Sequence, residues 1–173
     1  MRIYTKANEA DIADAARIYE AVIAVAPAVG WLAGVYPTED TARRAYERGE
    51  LYVCKEDGAV VASAIVNRAQ VDVYRGAPWT DDVPDELVTV LHTLSVDPAA
   101  GGRGIGRGFV AFYEDLAARS GAPYLRIDTN ANNARARAMY RALGYTEVAV
   151  VPCAFNGIPD VRLVLLEKRA GRG

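Results

Sequence analysis

The sequence predicts an α/β sandwich, a mixed sheet covered by helices, and three observations carry that prediction. Runs with a two-residue apolar period alternate with runs at helical spacing in the order β-α-α-β-β-β-α-β-α-β-β. Two β-rich runs in LYVCKEDGAVVASAIV meet at Asp57-Gly58, a strong short-range hairpin signal. Residues 91–121, LHTLSVDPAAGGRGIGRGFVAFYEDLAARSG, read as strand, glycine turn and helix, and the rest of the chain is arranged around them. With 51% hydrophobic and 24% charged residues in 173, the chain suits one globular domain over 1–173, of a size that buries roughly 70% of its unfolded surface.

Taken in order, a short strand is expected at 2–5. An alanine-rich amphipathic helix follows, starting at Asn8 or Asp11 and running to about Val25, where Pro27 and Gly30 end it. GWLAGVYP, residues 30–37, is apolar without a period and reads as a loop with large side chains, and Thr38 behind it is a natural N-cap for a helix over 39–48. The hairpin fills 50–66. Residues 70–85, with Pro78, Trp79, Asp81, Asp82 and Pro84, form an irregular connection of a length often given over to function. The apolar, β-branched run at 87–96 is a buried strand stopped by Asp97 and Pro98. Helical spacing begins at Phe109 and takes in Val110, Phe112, Tyr113 and Leu116, with Gly121 past the end. A strand at 123–128, a helix from Asn133 to Leu143 closed by Gly144, and strands at 145–151 and 161–167 separated by CAFNGIPD complete the order. The tail RAGRG, from about 169 to 173, is expected to be disordered.

The glycine turn points to an anion. A helix N-terminus presents unpaired N–H groups and a partial positive charge, and glycines remove the Cβ atoms that would hold a phosphate away from them. Gly101, Gly102, Gly104, Gly106 and Gly108 crowd this turn, with Arg103 and Arg107 among them. No GK[ST] follows, which excludes a Walker loop, and G-x-G-x-x-G fails because its third glycine would fall on Phe109. A flexible surface turn before an ordinary helix stays open on this pattern alone. So does a dinucleotide site, because Asp128 ends the next strand where a ribose-binding acid would stand.

The helix after that strand narrows the choice. Residues 91–145 resemble the GCN5-related N-acetyltransferases, the GNAT superfamily. Val96 and Pro98 match its strand ending V-x-P, and Gly104 and Gly106 match the glycines of its loop [RQ]-x-x-G-x-[GA]. Asn133, Ala136, Met139, Tyr140, Gly144 and Tyr145 match N-x-x-A-x-x-[LFM]-Y-x-x-x-G-[FY]. Gly101 departs from the pattern by standing where the family has Arg or Gln, so main-chain amides are expected to hold the pyrophosphate. Within the family the chain looks most like a bacterial subgroup carrying W-L-x-G-V-Y-P-T and L-H-T-L-x-V-D-P.

The resemblance implies a GNAT-like fold, a mixed, mostly antiparallel central sheet flanked by helices. It also implies acetyl-CoA as the acyl-donor substrate and transfer to the amine of a small molecule by direct attack, through a tetrahedral intermediate. It places the donor against Leu94, Ser95, Val96, Gly101, Gly102, Arg103, Gly104, Ile105, Gly106, Arg107 and Asn133. An amine with a pKa of about 10.4 must lose a proton before it attacks, so a base is required. His92, the one histidine, is placed by strand alternation on the face of Leu94 and Val96, and some relatives carry a base at this position. A β-bulge, usual in this strand of the family, would alter that face. Tyr140 stands at the family's position for a hydroxyl that receives the departing thiolate, and an oxyanion donor is implied at a main-chain N–H near Leu94. In the resembled fold the two irregular segments lie over the acetyl end, which puts Trp31, Tyr36 and Trp79, with Leu32, Val35 and Tyr74, at the acceptor. Asp72, Asp81, Asp82, Asp85 and Glu86 nearby would draw a cation to the mouth. A small primary amine with an apolar or aromatic portion is the expected acceptor, in preference to a protein lysine or an aminoglycoside.

Composition excludes other classes. A net charge of -2 argues against nucleic acid, whose binders concentrate positive charge. No run approaches the roughly 20 apolar residues of a membrane span, and the N-terminus lacks an apolar leader, so a cytoplasmic protein is expected. Cys54 and Cys153 have no Cys-x-x-Cys or histidine neighbour and read as buried reduced thiols, and no spacing suggests a metal. A homodimer is left open. Two rival functions remain: a non-catalytic acyl-CoA sensor and a dinucleotide-binding oxidoreductase.

Overall fold

The computed structural model describes residues 1–171. Seven strands and four helices follow in the predicted order: β1 (Arg2–Lys6), α1 (Asp11–Val25), α2 (Glu39–Glu47), β2 (Leu51–Glu56), β3 (Ala59–Asn67), β4 (Val88–Val96), α3 (Ile105–Arg119), β5 (Tyr124–Asn130), α4 (Ala134–Ala142), β6 (Thr146–Phe155) and β7 (Ile158–Arg169). The strands form one sheet in the order β1-β2-β3-β4-β5-β7-β6. Neighbours are antiparallel except β4 and β5, which are parallel. That single parallel pair is joined through α3, as a parallel connection requires.

Local chemistry explains most boundaries. Thr38 and Thr41 close a capping box at the start of α2, and Asn133 caps α4 by accepting from the Ala136 N–H at 3.1 Å. Helix α3 starts at Ile105, four residues before the apolar spacing announces it, because Gly104 takes the left-handed conformation and the first turn packs few side chains. Residues 153–160, expected as a connection, instead close a hairpin: β6 and β7 pair as far as Phe155 and Ile158, with Asn156 and Gly157 both at positive φ. That is the turn an Asn-Gly pair favours. The first two residues of the expected tail are instead held in the fold. Arg169 pairs with Tyr124 in the sheet, and Ala170 is buried with its N–H donating to Pro123 O at 2.8 Å. Residues 172–173 lie outside the described residues.

Each face of the sheet is covered. On one, α3 and α4 pack Phe109, Val110, Tyr113 and Tyr140 against Ala62, Ala64, Leu91, Leu125 and Ile127. On the other, α1 and α2 cover Leu51 and Ile65, and the segment before β4 covers Val88 and Val90 with Tyr74. Cys54 is buried and Cys153 half-buried, both as free thiols. No helix among the described residues is long and apolar enough to cross a membrane.

Candidate active site

The site begins where the parallel pair comes apart. Strands β4 and β5 are in register from Val88 opposite Tyr124 to Leu91 opposite Ile127, and pairing stops there. His92 and Asp128 are therefore the first residues on either side of a fork. A cavity of about 760 Å³ fills it, walled by His92, Thr93, Leu94, Ser95 and Val96 on one strand and by Asp128, Thr129 and Asn130 on the other. One end reaches the glycine turn and α4, and the other reaches Trp31, Tyr36 and Phe155. The volume lies within the range of small-ligand sites, roughly 300 to 1,000 Å³.

At the first end the backbone is shaped for an anion. Gly102 and Gly104 have φ of 77° and 76°, and a Cβ at either would meet nothing within 4 Å. Conformation, not crowding, is what calls for glycine there. The N–H groups of Ile105, Gly106 and Arg107 belong to the first turn of α3, have no helical partner, and lie on residues that line the cavity. Arg107 and Arg135 also line it, and among the described residues neither forms an ion pair. Arg135 was not a sequence candidate; its place in the first turn of α4 was the available signal. Arg103 turns away to pair with Glu56 at 2.6 Å and does not line the cavity, so it leaves the donor set. Asn133 spends its carbonyl on the cap of α4, which leaves its Nδ2 for a ligand.

At the fork a bulge rearranges β4. Ser63 faces Ser95 and Ile65 faces His92, so one β3 residue stands opposite both Thr93 and Leu94. Thr93 takes φ of 53°, and its hydroxyl meets the Tyr36 hydroxyl. The bulge reverses the expected facing of His92. Leu94 and Val96 pack toward α3, whereas His92 shares the face of its partner Ile65, toward α1 and α2. Its Nε2 lies 2.9 Å from Asn67 Oδ1. That amide is fixed from both sides: Oδ1 accepts from the Ala69 N–H at 2.9 Å and Nδ2 donates to Glu50 at 3.0 Å. Nε2 must therefore donate, and Nδ1 holds the lone pair. Burial pushes the imidazole down to about 4, with Glu50 and the Ala69 main chain working against the fall.

Tyr140 is buried and reaches the cavity from α4; burial, then the charge of Asp128, hold its phenol well above the ordinary range. Tyr36 is pushed up to about 12 by burial, offset by its bond to Thr93. Asp128 accepts from the Tyr74 hydroxyl at 2.8 Å, and burial raises its carboxyl from 3.8 to about 6 against that hydrogen bond.

The expected acceptor residues divide. Trp31 and Tyr36 line the cavity, joined by Phe155, whose ring lies 6.4 Å from Tyr36. Trp79 does not. Its indole donates to Tyr74 O at 2.9 Å, its ring packs on Tyr74, and the Arg126 guanidinium covers it at 4.2 Å, so it seals the sheet. Leu32 and Val35 are exposed outside the cavity, and none of the acids expected at the mouth lines it. Phe155 was missed because the Asn-Gly turn was passed over.

The geometry now meets the comparisons. The sequence model of the Acetyltransferase (GNAT) family matches residues 13–145. The chain belongs to that family. A mycothiol acetyltransferase of Beutenbergia cavernae is 40% identical over 77 residues, 44% of this chain and 25% of that protein, so the match spans about a quarter of the curated relative. Among solved structures, a GNAT acetyltransferase of Streptococcus agalactiae superposes with a TM-score of 0.80 at 21% identity, covering 97% of this chain and 95% of that one. YncA of Salmonella typhimurium, a putative acetyltransferase solved with acetyl-CoA, superposes at 0.72 and 20%, covering 99% and 95%. These likenesses show the GNAT fold.

Proposed function

We propose that the chain is an acetyl-CoA-dependent N-acetyltransferase that acetylates the amine of a small molecule. One observation carries the reading: a single cavity joins an anion-binding helix start to a fork lined by titratable groups and, beyond it, to aromatic walls. The first-turn amides of α3, with Arg107 and Arg135, hold the diphosphate of the donor. The pantetheine arm lies along β4 from Leu94 to Val96, where pairing with β5 has ended. The thioester then sits at the fork, the acceptor enters past Trp31 and Tyr36, and attack is direct.

Leu94 has no partner in the β3 or β5 register, and its N–H is the donor assigned to the oxyanion. Tyr140, kept protonated by burial, donates to the departing thiolate. Aromatic walls favour an acceptor with an apolar portion.

The test is release of CoA thiol across a panel of amines, with acetyl-CoA binding followed by calorimetry. Wild type should release thiol with small monoamines faster than with histone-like peptides or polycationic sugars. Gly104→Val, which puts a β-branched side chain at φ of 76°, should abolish donor binding in a chain that still folds. Unchanged affinity in that variant would remove the site assignment, and donor binding without release for any amine would make the chain an acyl-CoA sensor.

A further inference from the structure

The cavity keeps its positive charge at one end. Of the described residues that line it, only Arg107 and Arg135 are cationic at pH 7, and they lie in the first turns of α3 and α4, where the diphosphate belongs. The titratable groups at the fork are His92, Asp128, Tyr36 and Tyr140. His92 is neutral at pH 7, with one nitrogen committed to Asn67. Burial keeps both phenols protonated. Burial raises the Asp128 carboxyl only to about 6, so the one formal charge at the fork is negative. Asp97, the other acid on the wall, is paired with Arg17 at 2.7 Å beside the glycine turn.

Beyond the fork the walls are apolar. Val25, Val29 and Trp31 come from the end of α1 and the loop after it, and Phe155, Ile158 and Leu163 from the hairpin of β6 and β7. The two sides meet: the Tyr36 and Phe155 rings lie edge to face, and Val35 Cγ1 stands 3.4 Å from where a Cβ on Gly157 would be. The polar atoms on these walls are already engaged, the Tyr36 hydroxyl with Thr93 and Asn130 Oδ1 with the Asn132 N–H at 2.9 Å. An amine that attacks a thioester at the fork brings the substituents of its α-carbon to the fork with it. A carboxylate among them would find no cation on the lining, would stand near the like charge of Asp128, and would give up part of its water to apolar walls. Each of these is unfavourable.

We propose that the site selects its acceptor by charge as well as by shape: the substrate class is a primary amine with an aryl or branched-alkyl body and no anionic group, and the α-amino acids that share those bodies are refused. The selection rests on the transferase reading above and adds what the acceptor must lack. The apolar body packs against Trp31, Phe155 and Ile158, and the empty place of the carboxylate costs the amine nothing.

The experiment is kcat/KM for release of CoA thiol at neutral pH with two matched sets, phenethylamine, phenylalaninol and phenylalanine, and isopentylamine, leucinol and leucine. Within a set the body is constant; the alcohol adds bulk at the α-carbon, and the amino acid adds bulk and charge. Wild type should turn over the amine and the alcohol within about 10-fold of each other, and the amino acid at least about 100-fold more slowly than the alcohol, as an anion left unpaired requires. Ethylamine, which lacks the body, should fall at least about 10-fold below phenethylamine, and Phe155→Ala should narrow that gap with acetyl-CoA affinity unchanged. The wild-type sets carry the test alone if Phe155→Ala does not fold. An amino acid as fast as its alcohol, or an alcohol as slow as its amino acid, overturns the selection by charge and leaves the transferase standing. Ethylamine as fast as phenethylamine, or a gap that Phe155→Ala leaves intact, overturns the apolar body. A wild type that releases thiol with no amine overturns this inference and the transferase reading together.

Discussion

At the fork, the proton on His92 is placed by residues that need touch no substrate. The Asn67 amide cannot reverse without setting its Nδ2 against the Ala69 N–H and its Oδ1 against the Glu50 carboxylate. Nitrogen NMR at pH 7 should therefore find Nε2 protonated and Nδ1 bare, with no titration until the pH approaches 4. Asn67→Leu should allow both tautomers, and a protonated Nδ1 in wild type would show that the amide lies the other way. The sequence marked His92 as chemical because it is the lone histidine in a strand that precedes a phosphate turn. Its facing was not legible, since alternation holds only until the bulge at Thr93. Asp128 was legible only as a ribose ligand, because the parting of two strands that makes it the end of a fork is a property of the sheet.

Among the elements, α3 gives the sharpest view of what glycines do. Gly102 and Gly104 have open space around them, while Gly108 does not: a Cβ there would overlap the Tyr4 hydroxyl and stand 2.8 Å from Tyr4 Cζ. Tyr4 crosses from β1 to donate to Ile105 O at 3.0 Å and packs edge-on to Phe109 at 5.4 Å. Gly108→Ala should thus destabilise by about 1 to 3 kcal/mol through overpacking, despite the better helix propensity of alanine. Urea midpoints measure this, and a loss under about 0.5 kcal/mol would mean that Tyr4 swings aside at little cost. Read along the chain, Gly108 looked like one more member of the anion turn. Its contact is with a residue 104 positions earlier, which no local pattern records. The hairpins show the converse: Asp57-Gly58 lay between clean β runs and was legible, whereas Asn156-Gly157 lay among Pro152, Pro159 and Asp160, which read as a loop.

Across the whole molecule, the two groups at the fork oppose each other in the pH dependence of stability. The folded pKa of Asp128 is raised, from 3.8 to about 6. Its contribution is fully present below the unfolded value and is lost as pH rises through about 6. The folded pKa of His92 is lowered, from 6.5 to about 4, so its contribution is present above 6.5 and is lost as pH falls toward 4. Each shift is about two units or slightly more, on the order of 3 kcal/mol. Between pH 7 and 4.5 the two should nearly cancel in wild type. Asp128→Asn should expose the histidine: more stable than wild type at pH 7 by up to about 3 kcal/mol, or several degrees in Tm, and losing that advantage on acidification. His92→Gln should do the reverse and gain stability as the pH drops. Asp97 and Glu147, held low by Arg17 and Arg137, lose their contributions at more acid pH and do so alike in all three chains, so differences between chains isolate the fork. Urea midpoints at pH 7 and 4.5 decide the matter. Three parallel curves would mean that water reaches both groups and that the fork is no more desolvated than the surface. An Asp128→Asn chain that is more stable than wild type at pH 7 would mark Asp128 as a carboxylate kept at a cost to the fold.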